Sequence, residues 1–514
     1  MAGLADLVAG MANPRGGRGG IGRAPTGFEP LGGTAGLGSG AGKIGAEKSR
    51  GHPGGIAGSG RPGGGRAVAL VTPAQGVGGL GMGLILAGER SGAGKTTITL
   101  ALLATLVDWG ERVQSFKVGP DYLDPQWHRW VTGRPCPNLD TVLTSPAYVR
   151  DCYAYYTHGM AYALVEGVMG LFDGPNSTAE VAKLLGLPVV LVVDCGRLAG
   201  SVAALVHGYA RFDPQVRVVG VILNRVTGDR HSELLRAALA GLDIPVVGEC
   251  RRQAELHYPE RHLGLIPPAE RGDLHPWREG LTTLGRSSFA WDVLRPLLQV
   301  QSQGQPVPPW LPLRVPQPLT IAVAWDEAFC FYYDDHLALL RCAGVELYFW
   351  SPLRDGPLPP EVGGVILGGG YPELWAAHLS ERQEILQNVR QRISRGLPVY
   401  AECGGLMVLG ETLITADGTP WPLVGALPLV TRMTQRLTLG YRQVVATQDT
   451  CFVQKGHTLT GHEFHYSQVV GGEPQPLYAQ AQVHGSYVHC HWGGHPTQVQ
   501  RFLASVQQAA AQVV

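Results

Sequence analysis

Charged and aromatic residues are sparse in this sequence, and neither sign of charge predominates. Charged side chains make up 16% of the 514 residues and aromatic ones 8%, and 41 Lys and Arg balance 41 Asp and Glu. This balance gives no overall attraction to nucleic acid or to a membrane surface, so we expect neither as a partner. No apolar run approaches the roughly 20 residues of a membrane helix, and the N-terminus lacks the apolar core of a signal peptide.

Cysteine pairs with CxxC spacing are also lacking. The nine cysteines, an odd number, fall between Cys136 and Cys490, which argues against a disulfide framework and against a cysteine zinc site. A reducing cytoplasm is therefore the expected compartment. The apolar fraction of 45% is typical of a globular protein. At roughly 150 residues per domain, the length predicts two to four domains.

Large apolar residues are scarce in residues 1–81, which are dominated by glycine. Such a segment cannot bury enough apolar surface to offset the entropy of ordering, so we expect a disordered extension. Its Gly36–Lys43 string resembles a phosphate loop, but Ile44 stands where a metal-binding Ser or Thr is needed and no strand precedes it. We therefore expect no nucleotide there. Ordered patterning begins at Met82, and we expect translation of the native protein to start at that residue.

From residue 82 to 300, short apolar runs alternate with helix-like stretches. Apolar strands separated by helices are typical of a parallel sheet covered on both faces, so we predict a doubly wound, mostly parallel α/β domain. The predicted strands are Leu84–Ala87, Val113–Val118, Ala163–Val168, Val189–Val193, Val216–Leu223 and Pro245–Gly248, and the predicted helices are Thr96–Asp108, Ala179–Leu185 and His231–Ala240. Residues 301–318, rich in Pro and Gln, predict a linker. A second α/β domain is expected over 319–514.

A glycine-rich turn ending in Lys and Thr follows the first predicted strand. It reads GERSGAGKTT from Gly88 to Thr97 and stands between a strand and a helix, as a phosphate loop requires. Its backbone amides and the helix N-terminus attract phosphate. We expect Lys95 to reach the β- and γ-phosphates of ATP and Thr96 to bind Mg²⁺. The predicted ATP-binding residues of the loop are Gly92, Gly94, Lys95, Thr96 and Thr97.

The spacing of this loop, with five residues between Gly88 and Gly94, resembles the dethiobiotin synthetase group of ATP-dependent carboxylate ligases. Longer strings closely resemble the cobyrinic acid a,c-diamide synthase family, and the resemblance runs from about residue 82 to the C-terminus. The strings are FKVGPDYLDP (116–125), NLD (138–140), VEGVMGLFDG (165–174) and PERHLG (259–264). The resemblance implies a P-loop domain followed by a flavodoxin-like class I glutaminase domain. It implies ATP, glutamine and a corrinoid acid as substrates and Mg²⁺ as cofactor, and it is compatible with a homodimer.

Amide formation from a carboxylate requires activation of the acid. Phosphorylation by ATP gives an acyl phosphate that ammonia attacks, and the transferred phosphoryl group needs cations around it. Glu166 ends a buried strand beside glycines, a suitable place for a Mg²⁺ ligand, and the resemblance implies this role. Asp140 is a second candidate metal ligand.

The resemblance also implies a set of residues around the carboxylate substrate. They are Lys117, Asp121, Tyr122, Leu123, Asp124 and Asp173. Two alternatives stay open: Asp121 and Asp124 could simply cap a turn, and Lys117 could be a surface lysine at a strand end. Asn224 ends a further strand, and in related ligases the residue at this place reads the adenine base. A turn-forming Asn is the alternative there.

A strand, a tight turn and a helix start surround Cys403 in LPVYAECGGL (397–406). This is the form of a nucleophile elbow, and a helix N-terminus favours the thiolate. Upstream, another predicted strand runs into Gly369 and Gly370, whose amides could form an oxyanion hole with that of Gly404. An inert buried thiol is the alternative for Cys403.

The candidate general base lies in HGSYVHCHW (484–492), near the C-terminus. His489 fits the histidine of class I glutaminases, which usually end in His-x-Glu, but His491 stands in the position of the Glu. We expect His491 or a backbone carbonyl to orient His489. The alternative is a metal site formed by His484, His489, His491 and His495.

Together these features predict that Cys403 releases ammonia from glutamine while the first domain converts carboxylates to acyl phosphates. Ammonia must arrive unprotonated, so we expect a sheltered path between the domains. The resemblance implies amidation of the a and c acetate groups of cobyrinic acid, with two ATP and two glutamines consumed per product. The alternatives are hydrogenobyrinic acid or nickel sirohydrochlorin as substrate, or a nucleotide-switch ATPase with an inactive glutaminase module.

Overall fold

The computed structural model describes residues 83–252, 260–261, 264–301, 306–310, 313–471, 475, 477–480 and 482–513. The extension over 1–81, the proposed start at Met82, and parts of the linker and of the PERHLG string lie outside these residues. Within the described ranges, no helix is both long and apolar enough to cross a membrane.

The N-terminal domain is built on a parallel sheet with buried strands. Its strands are β1 (Leu84–Gly88), β2 (Val113–Val118), β3 (Asn138–Leu139), β4 (Tyr162–Glu166), β5 (Val189–Asp194), β6 (Val218–Val226) and β7 (Val246–Arg251), followed by the short hairpin of β8 (Glu260–Arg261) and β9 (Gly264–Leu265). The order is β3–β2–β4–β1–β5–β6–β7, and every neighbouring pair in it is parallel. Because chain order reverses around β1 and β4, the crevice for a ligand is expected at their carboxyl ends.

Helices cover the faces of this sheet. They are α1 (Lys95–Asp108), α2 (Asp124–Thr132), α3 (Pro146–Thr157), α4 (Thr178–Leu185), α5 (Ser201–Phe212), α6 (Asp229–Leu239), α7 (His275–Ser288) and α8 (Trp291–Leu298). Side chains fix two of the starts: Ser145 accepts from the amide of Tyr148 at 3.1 Å, and Ser177 forms a capping box with Glu180. The doubly wound α/β prediction is confirmed, and each predicted strand and helix appears within a few residues of its expected limits.

The C-terminal domain carries a second, mostly parallel sheet. It contains β10 (Leu319–Ala324), β11 (Val345–Trp350), β12 (Val362–Leu367), β13 (Val399–Glu402), β18 (Tyr478–Gln480) and β19 (Val483–Ser486), in the order β11–β10–β12–β13–β19–β18. Only the β18–β19 pair in this order is antiparallel. The helices are α9 (Asp334–Cys342), α10 (Ala376–Glu381), α11 (Gln383–Ser394), α12 (Gly404–Leu409) and α13 (Pro496–Val513). This is the second α/β domain that the sequence predicts.

A third sheet, which the sequence did not predict, extends the C-terminal domain. Its strands are β14 (Thr412–Ile414), β15 (Pro420–Pro422), β16 (Val430–Val445), β17 (Thr458–Val470) and β20 (His489–Cys490), in the order β15–β14–β16–β17–β20. The long β16–β17 hairpin places His462 directly opposite His489. The hairpin thereby fixes the backbone of the candidate general base.

The two α/β domains belong to one compact unit and share buried polar contacts. Asp335, at the start of α9, accepts hydrogen bonds from the hydroxyls of Tyr148 (2.8 Å) and Tyr156 (3.0 Å) on α3. Arg129 on α2 forms an ion pair with Asp334 at 2.6 Å. Because buried polar groups are costly without partners, these contacts hold the domains in one arrangement.

Candidate active site

The phosphate loop lies between β1 and α1 and is shaped by glycine. Gly94 has a φ of +95°, and a Cβ there would lie only 2.2 Å from Nδ2 of Asn224, so this position requires glycine. Lys95 Nζ donates to the carbonyls of Met169 (2.6 Å) and Arg90 (3.3 Å). The pKa of Lys95 is lowered to about 8, chiefly because the side chain is buried. The predicted loop residues Gly92 and Thr97 lie, respectively, in the turn at φ +76° and in the first turn of α1.

Four polar side chains converge beside the loop. Thr96 Oγ1 donates to Glu166 Oε1 at 2.6 Å and lies 3.3 Å from Asp124 Oδ2. Lys117 Nζ is 2.5 Å from Asp124 and 2.9 Å from Glu166. Burial opposes the charge of Lys117, but Asp124 and Glu166 outweigh it and raise its pKa. A hydroxyl and two carboxylates are the oxygen donors that Mg²⁺ accepts alongside phosphates and water, so these residues fit that ion.

Asp140 does not join this cluster, which corrects its prediction as a metal ligand. Its Oδ1 accepts from the amides of Val142 and Leu143, both at 2.9 Å. Its Oδ2 accepts from the hydroxyl of Tyr441, on β16 of the other domain, at 2.7 Å. Asp140 is therefore a cap and a domain contact, and the carboxylate that stands with Glu166 is Asp124.

The other predicted synthetase residues are spread over two environments. Asp121 Oδ1 accepts from the amides of Leu123 and Asp124 at the start of α2, so it caps the turn, as the alternative reading expected. Its Oδ2 lies 3.8 Å from Lys117 Nζ. Tyr122 and Leu123 pack in a cluster that includes aromatic residues of the C-terminal domain. Only part of the predicted set therefore points toward the phosphate loop.

Two predicted residues make local contacts in the loops themselves. Asp173 accepts from the amide of Gly170 at 2.8 Å, within the turn after β4. Asn224 donates to the carbonyl of Ala93 at 2.8 Å, so it lies against the phosphate loop. Its reading of adenine stays a prediction.

His128 is a neighbour of the cluster that sequence reasoning missed. Its Nε2 lies 2.7 Å from Glu166 Oε2, and Nδ1 lies 3.3 Å from the thiol of Cys136. Burial alone raises the pKa of Glu166, but Lys117 and His128 outweigh burial and lower it. His128 lies one turn into α2, a helix that the sequence analysis did not predict, so no pattern in the sequence marked this residue.

Cys403 forms a strained elbow between β13 and α12. Its φ is 48°, a left-handed value that costs a non-glycine residue on the order of 1–3 kcal/mol and is typical of functional turns. Its amide donates to the carbonyl of Ser486 on β19 at 2.7 Å. The thiol is buried, and it lies close enough to His489 to raise the pKa of that imidazole. The structure thus brings the predicted nucleophile and base together.

Glu402, the residue before the nucleophile, faces the other nitrogen of this histidine. Its Oε2 is 3.4 Å from His489 Nδ1. Its Oε1 accepts from the amide of Cys490 at 2.8 Å and from the hydroxyl of Tyr400. Burial lowers the pKa of His489, but the neighbouring Cys403 and Glu402 outweigh burial and raise the pKa to about 10. The carboxylate missing from the His-x-Glu pattern is therefore supplied from β13.

His491 does not orient His489, which corrects the sequence prediction. Its Nδ1 accepts from the amide of Gly493 at 3.2 Å, and its Nε2 lies 3.7 Å from Asp335 Oδ2 at the domain interface. Burial lowers its pKa to about 3, so it is neutral. Among the described residues, no group of three or more His, Cys, Asp or Glu side chains converges as a metal site. The alternative of a histidine metal site gains no support.

The predicted oxyanion glycines lie beside the nucleophile. A Cβ on Gly369 would approach His489 Cε1 to 2.7 Å, and a Cβ on Gly404 would lie 3.2 Å from the amide nitrogen of Gly370. The carbonyl of Gly369 accepts from the amides of Cys330 and Phe331, both at 3.0 Å. These contacts place Gly370 beside Gly404, the residue after Cys403, and Gly369 beside His489. The arrangement fits stabilisation of a tetrahedral oxyanion.

Comparisons with known proteins agree with these two centres. Family models match residues 84–266 as a CobQ/CobB/MinD/ParA nucleotide binding domain and residues 320–497 as a CobB/CobQ-like glutamine amidotransferase domain. A cobyrinate a,c-diamide synthase from Synechococcus sp. is 47% identical, covering 84% of this chain and 99% of that protein. One from Synechocystis sp. is also 47% identical, over 82% and 93%.

A hydrogenobyrinate a,c-diamide synthase from Streptomyces coelicolor is 40% identical, covering 82% of this chain and 96% of that protein. Nearly the full length of each of these relatives is therefore represented, including both the nucleotide-binding and the glutaminase parts. The chain belongs to the cobyrinate a,c-diamide synthase family of glutamine-dependent, amide-forming ligases.

Proposed function

We propose that this enzyme uses ATP and glutamine to convert the a and c acetate groups of cobyrinic acid to amides, with Cys403 and the Thr96–Asp124–Glu166 cluster as its two centres. Support comes above all from one observation: the segment that carries Asp124 also carries Tyr122, whose ring centroid is 5.2 Å from that of His489. One short segment therefore contacts both the proposed glutaminase base and the proposed phosphate-binding cluster. This closeness supports transfer of ammonia between them along a sheltered path.

The glutaminase half-reaction begins at Cys403. The thiolate attacks the amide carbon of glutamine, and the amides of Gly370 and Gly404 stabilise the oxyanion. His489, protonated after taking the thiol proton, gives that proton to the departing nitrogen, and ammonia leaves. His489 then removes a proton from water, which hydrolyses the thioester to glutamate. The carboxylate of Glu402, 3.4 Å from Nδ1 of His489, stabilises the imidazolium form.

In the synthetase half-reaction a carboxylate oxygen of the substrate attacks the γ-phosphorus of ATP, and ADP leaves. Lys95 and the loop amides hold the phosphates, and Lys117 neutralises charge that develops on the transferred group. Thr96, Asp124 and Glu166 would hold Mg²⁺, which when bound neutralises phosphate charge. Ammonia then attacks the acyl phosphate carbon, inorganic phosphate leaves, and a proton is lost to give the amide.

Incubation with ATP, Mg²⁺, amide-¹⁵N-glutamine and a macrocycle tests this proposal. We expect mass spectrometry to find ¹⁵N in both the a and c amides of cobyrinic acid, with glutamate, ADP and phosphate formed in step. Hydrogenobyrinic acid is the second substrate to compare, because one relative carries its name. If neither macrocycle gained ¹⁵N while glutamine was hydrolysed normally, the assignment would be refuted.

Ammonium chloride in place of glutamine separates the two half-reactions. The Cys403→Ser variant should lose amidation from glutamine but keep amidation from ammonium. If amide formed from glutamine without Cys403, the glutaminase assignment would be wrong. If the wild type released no glutamate from glutamine even with ATP and corrinoid present, the nucleotide-switch alternative would replace this proposal.

A further inference from the structure

Tyr122 is a residue of the N-terminal domain that packs in the glutaminase site. Its ring is stacked on Phe331 at 5.4 Å and lies 4.5 Å from that of Tyr333, both in the C-terminal domain. Its third ring neighbour is the imidazole of His489, at 5.2 Å between centroids. Tyr122 is almost fully buried. The candidate general base therefore packs against a side chain from the other domain.

The ends of the Tyr122 segment are fixed in the synthetase site. Asp124, two residues further on, contacts Lys117 at 2.5 Å and Thr96 at 3.3 Å. On the other side, the side-chain Nδ2 of Asn138 donates to the carbonyl of Asp121 at 2.8 Å. A ligand that binds the Asp124 carboxylate therefore affects the same short backbone segment that carries Tyr122.

The same segment is tied to the oxyanion glycines through the C-terminal domain. Gln126 donates both to the carbonyl of Tyr122 (3.0 Å) and to that of Cys330 (2.8 Å). Cys330 and Phe331 in turn donate to the carbonyl of Gly369. A short chain of contacts therefore connects the Asp124 carboxylate to both the base and the oxyanion hole.

A cavity lies where these groups meet. Tyr122, Tyr333 and Glu402 are among the side chains that line it. Its wall thus includes both the carboxylate that faces His489 and the ring that packs on His489. A shift of Tyr122 changes the packing of the imidazole directly, since buried rings have few alternative positions in a close-packed interior.

We propose that Tyr122 is a positioning residue that aligns His489 for catalysis only when the Asp121–Asp124 segment has adopted its ligand-bound arrangement, so that glutamine is hydrolysed when a carboxylate is ready to receive ammonia. This inference rests on the proposed function. It assigns no chemistry to Tyr122, since the ring acts through His489. The coupling is a free-energy link between two sites and must show as a ligand-dependent change in rate.

The experiment compares wild type with Tyr122→Leu and Tyr122→Phe. Tyr156→Leu is the matched control, because it also removes a buried tyrosine from between the domains but has no ring contact with His489 among the described residues. Glutamate release is measured with and without ATP, Mg²⁺ and cobyrinic acid, and kcat and KM for glutamine are separated. The ratio of glutamate formed to amide formed is recorded for each protein.

We expect the synthetase ligands to raise kcat for glutamine in wild type by at least about fivefold. Tyr122→Leu should lose this response, with KM little changed and with more glutamate than amide formed. Tyr122→Phe, which keeps the ring, and Tyr156→Leu should retain the response. An unchanged response in Tyr122→Leu, or no response in wild type, would overturn the inference.

Cys403 alkylation provides a readout that does not depend on the variants folding. In wild type, the rate of carbamidomethylation of Cys403, followed by peptide mapping, should change when ATP, Mg²⁺ and cobyrinic acid are added. A rate that the ligands leave unchanged would count against coupling. The ammonium-dependent amidation of wild type tests the proposed function separately, so failure of the two ideas is distinguishable.

Discussion

Replacing Glu402 by Gln gives the sharpest test of the glutaminase site. Gln keeps the shape and can still accept from Cys490 and Tyr400, but the negative charge 3.4 Å from His489 Nδ1 is lost. With an effective dielectric constant of about 20, a charge pair at this separation is worth about 5 kcal/mol. Desolvation offsets part of that value, leaving roughly 3–4 kcal/mol. Because about 1.4 kcal/mol is a factor of ten, we expect kcat/KM for glutamine hydrolysis to fall by roughly 10²–10³.

The pH dependence of the same variant has a defined sign. The pKa of His489 is raised to about 10, which favours the imidazolium form of this side chain. The imidazolium is thus present throughout the neutral range and is lost only as the pH rises through about 10. Removing the charge of Glu402 lowers this pKa. The alkaline limit of glutamine hydrolysis should therefore move to lower pH in Glu402→Gln.

Glutamate release, coupled to glutamate dehydrogenase, measures the effect, and ammonium-dependent amidation shows that the synthetase domain is intact. His491→Asn is the matched control, since its side chain contacts Gly493 and Asp335 and not His489 Nδ1. It should lose much less glutaminase activity than Glu402→Gln. A Glu402→Gln enzyme within about threefold of wild type, with an unshifted pH profile, would refute the role of this carboxylate.

Three further predictions follow from contacts described above. Asp124→Asn should lower ammonium-dependent amidation by about 10²-fold or more, and Asp140→Asn by much less, because only Asp124 stands with Thr96. Gly369→Ala should abolish glutamate release but spare ammonium-dependent amidation, since its methyl group would meet His489. Tyr156→Phe should destabilise the protein in urea unfolding by about 1–3 kcal/mol at pH 8. Burial raises the pKa of Asp335 to about 6, so this effect should shrink at pH 5, where the carboxyl is neutral.

Strand ends were the most predictable part of the molecule. Parallel strands deliver their carboxyl ends to one edge of a sheet. Reading apolar runs was therefore enough to expect Glu166, at the end of β4, near Thr96, which follows the loop after β1. The structure places Thr96 Oγ1 2.6 Å from Glu166 Oε1. The elbow at Cys403 followed from the same reasoning about a strand running into glycines. Sequence-local geometry governs all of these features.

Residues whose role depends on packing could not be predicted in this way. Alternation along a strand would put Glu402 and Cys403 on opposite faces, and only the positive φ of Cys403 turns both toward His489. Asp140 follows a strand end just as Glu166 does, yet its partner Tyr441 lies about 300 positions away on a hairpin that the sequence did not reveal. Such pairings are fixed by tertiary structure, which no local pattern encodes.

The buried contacts of Asp335 bear on how this enzyme could be divided. A fragment holding only the C-terminal domain would present that carboxylate to solvent without its two tyrosine donors, and would bare the apolar rings that Tyr122 now covers. Exposed aromatic patches favour self-association. Cutting at the linker should therefore yield two aggregation-prone fragments without activity. Mixing the fragments should restore turnover only to the extent that the interface between the domains re-forms.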